Sequence, residues 1–120
     1  TAGVFQPFNG DEFPAEIQQT GIALSVAANP RYGKIDAKQA AINAVVENVC
    51  NVVASGATPQ AITDCLCFGN PEKPEQMQDL VDAIAGIKHA CHNLPLREHP
   101  DNPLPVIGGN VSLYNENKIS

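Results

Sequence analysis

Two long stretches of this chain place apolar residues at intervals of three and four, and short apolar runs ending near Gly, Pro or Asn flank them. That alternation confines the backbone to helices with one apolar face and strands that lie beneath it. In the first stretch Ile42, Val45, Val46, Val49, Val52 and Val53 fall along one side of a helix that starts after Asp36. Asp36 can accept hydrogen bonds from the free N–H groups of the first turn, and Gly56 offers the left-handed residue that commonly ends a helix. In the second stretch the stripe is Met77, Leu80, Val81, Ile84, Ile87, Cys91 and Leu94. Pro74 and Glu75 suit its opening turn, where a missing N–H costs nothing and the helix dipole favours an acid. The apolar runs 21–27, 61–68 and 105–113 read as strands, and residues 1–5 add an edge strand before a turn-rich segment at 8–14. The expectation is an α+β fold, a mixed four-stranded sheet with two helices on one face. The other face must then find a covering layer, which predicts a homodimer or a sheet-to-sheet assembly.

The whole chain of 120 residues is expected to form a single domain, 1–120. Hydrophobic residues at 43% and charged residues at 17% exclude intrinsic disorder. No run approaches the roughly 20 apolar residues of a spanning helix, and no basic-then-apolar leader opens the chain. Seven Lys and Arg against thirteen Asp and Glu leave a net charge of -6, which argues against binding nucleic acid or an anionic membrane. Cys50, Cys65, Cys67 and Cys91 are scattered without a Cys-x-x-Cys pair, which fits a reduced, cytoplasmic setting. Cys65 and Cys67 alternate on one strand and read as small buried hydrophobes. His89, Cys91, His92 and His99 make the only cluster of soft ligands, but their spacing lacks the repeated pairs of zinc domains.

The last apolar run meets Gly108-Gly109 and continues as Asn110-Val111-Ser112. If the backbone stays extended, Asn110 and Ser112 share a face about 6.6 Å apart, a spacing that spans a metal and an adjacent phosphate, while Val111 faces the core. The competing reading is a bulge or turn around the glycines. Asp64 interrupts another apolar run; a carboxylate there is paired, ligand-bound or near the surface.

The strings AITDCLCFGNPEKPE, beginning at Ala61, and PVIGGNVSLYNE, beginning at Pro105, resemble the second half of the phosphoribosylformylglycinamidine synthase family. GIALSVAANPRY from Gly21 and Ser55-Gly56-Ala57-Thr58-Pro59 extend the resemblance over nearly all of the chain. It implies an N-terminal domain of the aminoimidazole ribonucleotide synthetase type, one of two in a longer synthase that pack sheet to sheet. The implied activity is that of an ATP-dependent carbon–nitrogen ligase, which converts formylglycinamide ribonucleotide and glutamine-derived ammonia to the amidine in purine biosynthesis. The amide oxygen is phosphorylated and ammonia then displaces the phosphate, so ATP and Mg2+ are the implied cofactors.

Carried over position by position, the resemblance makes Asp64 and Gly109 ATP contacts, Asn110 a magnesium ligand and Ser112 a substrate contact. It assigns no catalytic residue to this chain. The remaining domains and a glutaminase domain or subunit are the implied partners, and the segment alone is expected to be inactive. The family usually carries Asn where this chain has Cys67, and an Asp-Pro-Tyr-x-Gly turn where it has Asp36-Ala37-Lys38-Gln39-Ala40. The string Asn-Pro-Glu-Lys-Pro-Glu argues against the related selenophosphate synthetases and thiamine-monophosphate kinases. The rival of another class is a non-catalytic packing or assembly domain of the same superfamily.

Overall fold

Asp36 and Gly56 do mark the ends of a helix. In the computed structural model, which describes residues 1–94, 96 and 100–116, the Asp36 carboxylate accepts from the Gln39 N–H at 2.8 Å. Gly56 turns left-handed at φ 88°. Its N–H bonds to the Val53 carbonyl while that of Ala57 reaches Val52, so the orphan carbonyls of the last turn are satisfied. This helix, α3, runs Ala37–Ala54, and the second long helix, α4, runs Pro74–Asn93. Two single-turn helices precede them, α1 (Ala15–Gln18) and α2 (Pro30–Gly33). In α2, Asn29 accepts from the Arg31 N–H and Pro30 opens the turn, a local signal too short to register as periodicity. Among the described residues no helix is long and apolar enough to cross a membrane.

The strands are β1 (Gly3–Phe5), β2 (Ile22–Leu24), β3 (Ile62–Cys67) and β4 (Val106–Ser112). The α+β class holds, but the four strands form two separate pairs rather than one four-stranded sheet. β1 and β2 pair antiparallel, Val4 opposite Ala23. β3 and β4 pair parallel, with α4 as the crossover between them. A crossover helix returns β4 alongside β3, whereas nothing lays the backbone of β2 against either of them. The run 21–27 accordingly gives only three strand residues.

The core lies between the long helices and the helix-facing side of β3. Val45 of α3, Ala90 and Cys91 of α4, Leu96 and Leu104 are buried, and Ile62 of β3 packs against them. Leu104 is 2% exposed, and its N–H bonds to the Cys91 carbonyl at 3.0 Å, fixing where β4 begins. α3 and α4 touch through small residues: a Cβ on Gly86 would meet the Lys38 carbonyl, with the Ala41 Cβ 2.9 Å away. The large side chains Met77, Val81 and Ile84 of the expected stripe stay exposed, because only the Ala83–Gly86–Ala90 side of α4 lets the two backbones approach this closely.

Candidate functional site

Alternation along β3 sends Ile62, Asp64 and Leu66 toward the helices and leaves Thr63, Cys65 and Cys67 exposed on the other face. β4 begins in step, Val106 opposite Ile62, and then slips by one residue so that Gly108 lies opposite Thr63. Ile107 is the extra residue. Without this bulge the period of two would place Asn110 opposite Leu66, facing the helices. With it, Asn110 stands opposite Cys65 and Ser112 opposite Cys67, both on the face no helix covers. The two readings of Gly108-Gly109-Asn110 are thus both realised, as a bulge followed by extended strand.

Asn110 Nδ2 donates to Ser112 Oγ at 3.1 Å. The amide nitrogen is thereby engaged, and the amide oxygen, a hard donor of the kind magnesium takes, has no protein partner among the described residues. One amide oxygen is a fraction of a magnesium shell, and among the described residues no group of three or more His, Cys, Asp or Glu could hold an ion. The residues fit one corner of such a site.

Asp64 and Gly109 are cross-strand partners on the helix-facing side. The carboxylate rests directly on the glycine: a Cβ there would strike Asp64 Oδ1, with Cγ 2.6 Å away. Asp64 also lines an open cleft of about 370 Å³ with Ile84, Ile87, Lys88 and Val106. A half-buried carboxylate beside apolar side chains can accept hydrogen bonds from hydroxyl or amino groups of a ligand, the fit a nucleoside requires. The four expected residues therefore divide two and two, Asp64 and Gly109 on one face of the β3–β4 pair, Asn110 and Ser112 on the other. β4 is an edge strand, and a Cβ on Gly108 would meet nothing within 4 Å.

Val111, expected in the core, points away from Asn110 but is 60% exposed, since no helix reaches the end of β4. Cys65 and Cys67, expected to be buried, are exposed, and Cys91 alone of the cysteines is buried. His89 and His92 are exposed on α4, while His99 lies outside the described residues.

Sequence reasoning passed over a clasp at the carboxyl ends of the paired strands. Glu116 accepts from Lys73 Nζ at 2.8 Å and from the Asn70 N–H at 2.9 Å. The Tyr114 N–H bonds to the Gly69 carbonyl and that of Asn115 to Phe68. Tyr114 itself adopts φ 61° to make this turn. Lys73 and Glu116 both lie inside the strings GNPEKPE and SLYNE, so the residues were in view; their contact across 43 positions was not.

The family model described as AIR synthase related protein, N-terminal domain, matches residues 9–120. The chain is similar to the phosphoribosylformylglycinamidine synthase subunit PurL of Methanothrix thermoacetophila, 46% identical over 115 residues, 96% of this chain and 14% of that protein. It is 50% identical over 99 residues to the PurL subunit of Thermomicrobium roseum, 82% of this chain and 12% of that one. The crystal structure of phosphoribosylformylglycinamidine synthase II from Thermotoga maritima superposes with a TM-score of 0.63 at 30% identity, over 83% of this chain and 15% of that one. The chain spans about one seventh of the length of the relatives it matches.

Proposed function

The chain belongs to the AIR synthase related protein family as an N-terminal domain, and on that basis we propose that it supplies one wall of the ATP, magnesium and substrate site of a phosphoribosylformylglycinamidine synthase. In this reading residues 1–120 are a single domain of a longer enzyme, an ATP-dependent carbon–nitrogen ligase. That enzyme converts formylglycinamide ribonucleotide and glutamine-derived ammonia to the amidine in the cytoplasm. The observation that carries it is the bulge at Ile107, which turns Asn110 and Ser112 onto an open face and seats Gly109 against Asp64.

Each residue then has work its chemistry suits. Asp64 accepts hydrogen bonds from the nucleoside part of ATP; its negative charge excludes it from the phosphates. Gly109 leaves the room in which the Asp64 carboxylate rests against β4 and is held for the nucleotide. Asn110 offers its amide oxygen to the cation while its nitrogen holds Ser112, and the Ser112 hydroxyl addresses the ribonucleotide. Magnesium, when bound, neutralises charge on the transferring phosphoryl group. Its other ligands, the catalytic groups and the ammonia-producing glutaminase belong to partner domains or subunits, so the isolated segment should not turn over. In the complete synthase Asn110→Ala should lower kcat about 10–100-fold with the fold intact by circular dichroism. Unchanged turnover would remove Asn110 from the site.

A packing or assembly domain is the second reading, favoured by strand side chains left in solvent: Val4 at 61%, Leu24 at 62% and Ile107 at 71% exposure. Calorimetric titration of the complete polypeptide with ATP and magnesium separates the two. Binding that weakens in Asn110→Ala and in Asp64→Asn supports a ligand site; binding indifferent to both supports assembly alone.

A further inference from the structure

β3 and β4 run parallel, so their carboxyl ends lie together, and that is the end at which open sheets hold their ligands. Two segments are fastened to each other there. After β3 the Asn70 side chain accepts from the Glu72 N–H at 2.8 Å and the Asn70 carbonyl from the Lys73 N–H at 3.1 Å, which closes a turn and sets Lys73 in place. The Lys73 ammonium then meets both carboxylate oxygens of Glu116, at 2.9 and 2.8 Å, and Glu116 Oε1 also accepts from the Asn70 N–H at 2.9 Å. Gly69 leaves room for this carboxylate: a Cβ there would stand 2.9 Å from Oε1 and press on the Gln76 amide. Between Ser112 and Glu116 the chain passes through Tyr114 at φ 61°, a conformation that a bulky residue keeps only where its surroundings hold it. Here the Tyr114 N–H bonds to the Gly69 carbonyl at 3.1 Å and the Asn115 N–H to that of Phe68 at 3.0 Å. Asn115 Nδ2 reaches back to the Ser112 carbonyl at 2.8 Å, which also accepts from the Phe68 N–H at 3.0 Å. Ser112 is thus fixed through its carbonyl by Phe68 and Asn115, and Asn115 is anchored by its neighbour Glu116.

We propose that Lys73 and Glu116 are positioning residues for the ribonucleotide: their ion pair holds Tyr114 and Asn115 in the conformation that aims the Ser112 hydroxyl. The inference rests on the reading of Ser112 as the ribonucleotide contact. The pair is exposed, so it adds little to global stability, and what it contributes is geometry. Once it is broken, Tyr114 is free to leave the left-handed region, Asn115 loses the Ser112 carbonyl, and the hydroxyl moves off its mark; a displacement of about 1 Å is enough to weaken a substrate contact severely. The effect is confined to one substrate. Asp64 and Gly109 lie three residues before the strand ends and on the other face, and Asn110 keeps its own register opposite Cys65, upstream of the clasp.

Steady-state kinetics of the complete synthase test this. Glu116→Ala and Lys73→Met should each raise KM for formylglycinamide ribonucleotide about tenfold, with KM for ATP within about twofold of wild type and the denaturation midpoint unchanged. The double variant should be no worse than either single one, because the two residues act as a unit. Lys73→Arg, which supplies a cation of similar reach, should bring KM for the ribonucleotide back to within about threefold of wild type. Asn115→Ala cuts the link to Ser112 without touching the ion pair and should reproduce the loss, which keeps the test independent of how the clasp variants fold. Ser112→Ala checks the underlying reading and should raise the same KM. If Ser112→Ala raises it while the Lys73, Glu116 and Asn115 variants do not, positioning by the clasp is overturned and the role of Ser112 stands. If Ser112→Ala changes nothing, the reading of Ser112 falls and the positioning role falls with it. A rise shared equally by ATP, or a drop in denaturation midpoint that accounts for the lost activity, makes the clasp structural only and overturns the proposal.

Discussion

Gly109 is glycine because of what lies opposite. The Asp64 carboxylate occupies the volume a side chain at 109 would need, its Cγ 2.6 Å from the position of a Cβ. Gly109→Ala should therefore displace Asp64 and cost about 1–3 kcal/mol in equilibrium denaturation. Gly108→Ala, which would meet nothing within 4 Å, should shift stability by no more than about 1 kcal/mol. Equal costs at both positions would refute the steric account. Cys91 makes a different residue-scale prediction. Burial pushes its thiol pKa up from the ordinary 9.0. Below pH 9 the thiol is neutral folded or unfolded and its contribution to stability is fully present. As pH rises past 9 the unfolded chain ionises first, and that contribution is lost through the folded pKa. Asp64, Lys88 and His92 line the cleft beside it. The comparison is made against Cys91→Ala, whose denaturation midpoint should fall less steeply between pH 8 and 11.

Elements meet through small residues and one irregularity. Gly86 sits in the middle of α4, where alanine would ordinarily favour the helix by about 1 kcal/mol. Here a methyl group would press on the Lys38 carbonyl and the Ala41 side chain of α3. The close approach outweighs the propensity, and Gly86→Ala should give a net loss of about 1–3 kcal/mol on urea denaturation. A gain would mean the helices are not in contact there. β4 depends on its bulge in a comparable way, since a single extra residue decides which face carries Asn110 and Ser112. The clasp of Lys73 and Glu116 is exposed, so its ion pair contributes little to global stability. Its effect is local: it holds the turn after β3 to the segment leaving β4, next to Ser112.

The whole molecule is long for its size. Its radius of gyration is 17.3 Å, against about 13.6 Å for a compact domain of this length. The extents of 57 × 34 × 21 Å follow from a β1–β2 pair standing apart from the helical core. All three residues of β1 are exposed, and Val26 is 95% exposed. Apolar strand surface of this kind is covered in a working protein. By itself the chain should associate, and sedimentation at tens of micromolar should show a dimer or larger species that a charge at Val4 or Leu24 weakens. A monomer under those conditions would count against assembly through these strands.

Helix limits were legible because they rest on local chemistry. Asp36 caps, Gly56 turns left-handed and valine recurs each turn, and all three act within a few residues of one another. The strand runs and the residues of the site were legible for the same reason. Three matters were not: the split of the sheet into two pairs, the burial of small rather than large residues on α4, and the exposure of Cys65 and Cys67 on the face that Asn110 and Ser112 share. Each depends on which backbone comes to lie beside which, across separations of 40 residues or more in the case of β3 and β4. A period of two fixes that neighbours alternate, but only the pairing of β4 with β3, and the slip at Ile107, decides which alternate faces solvent.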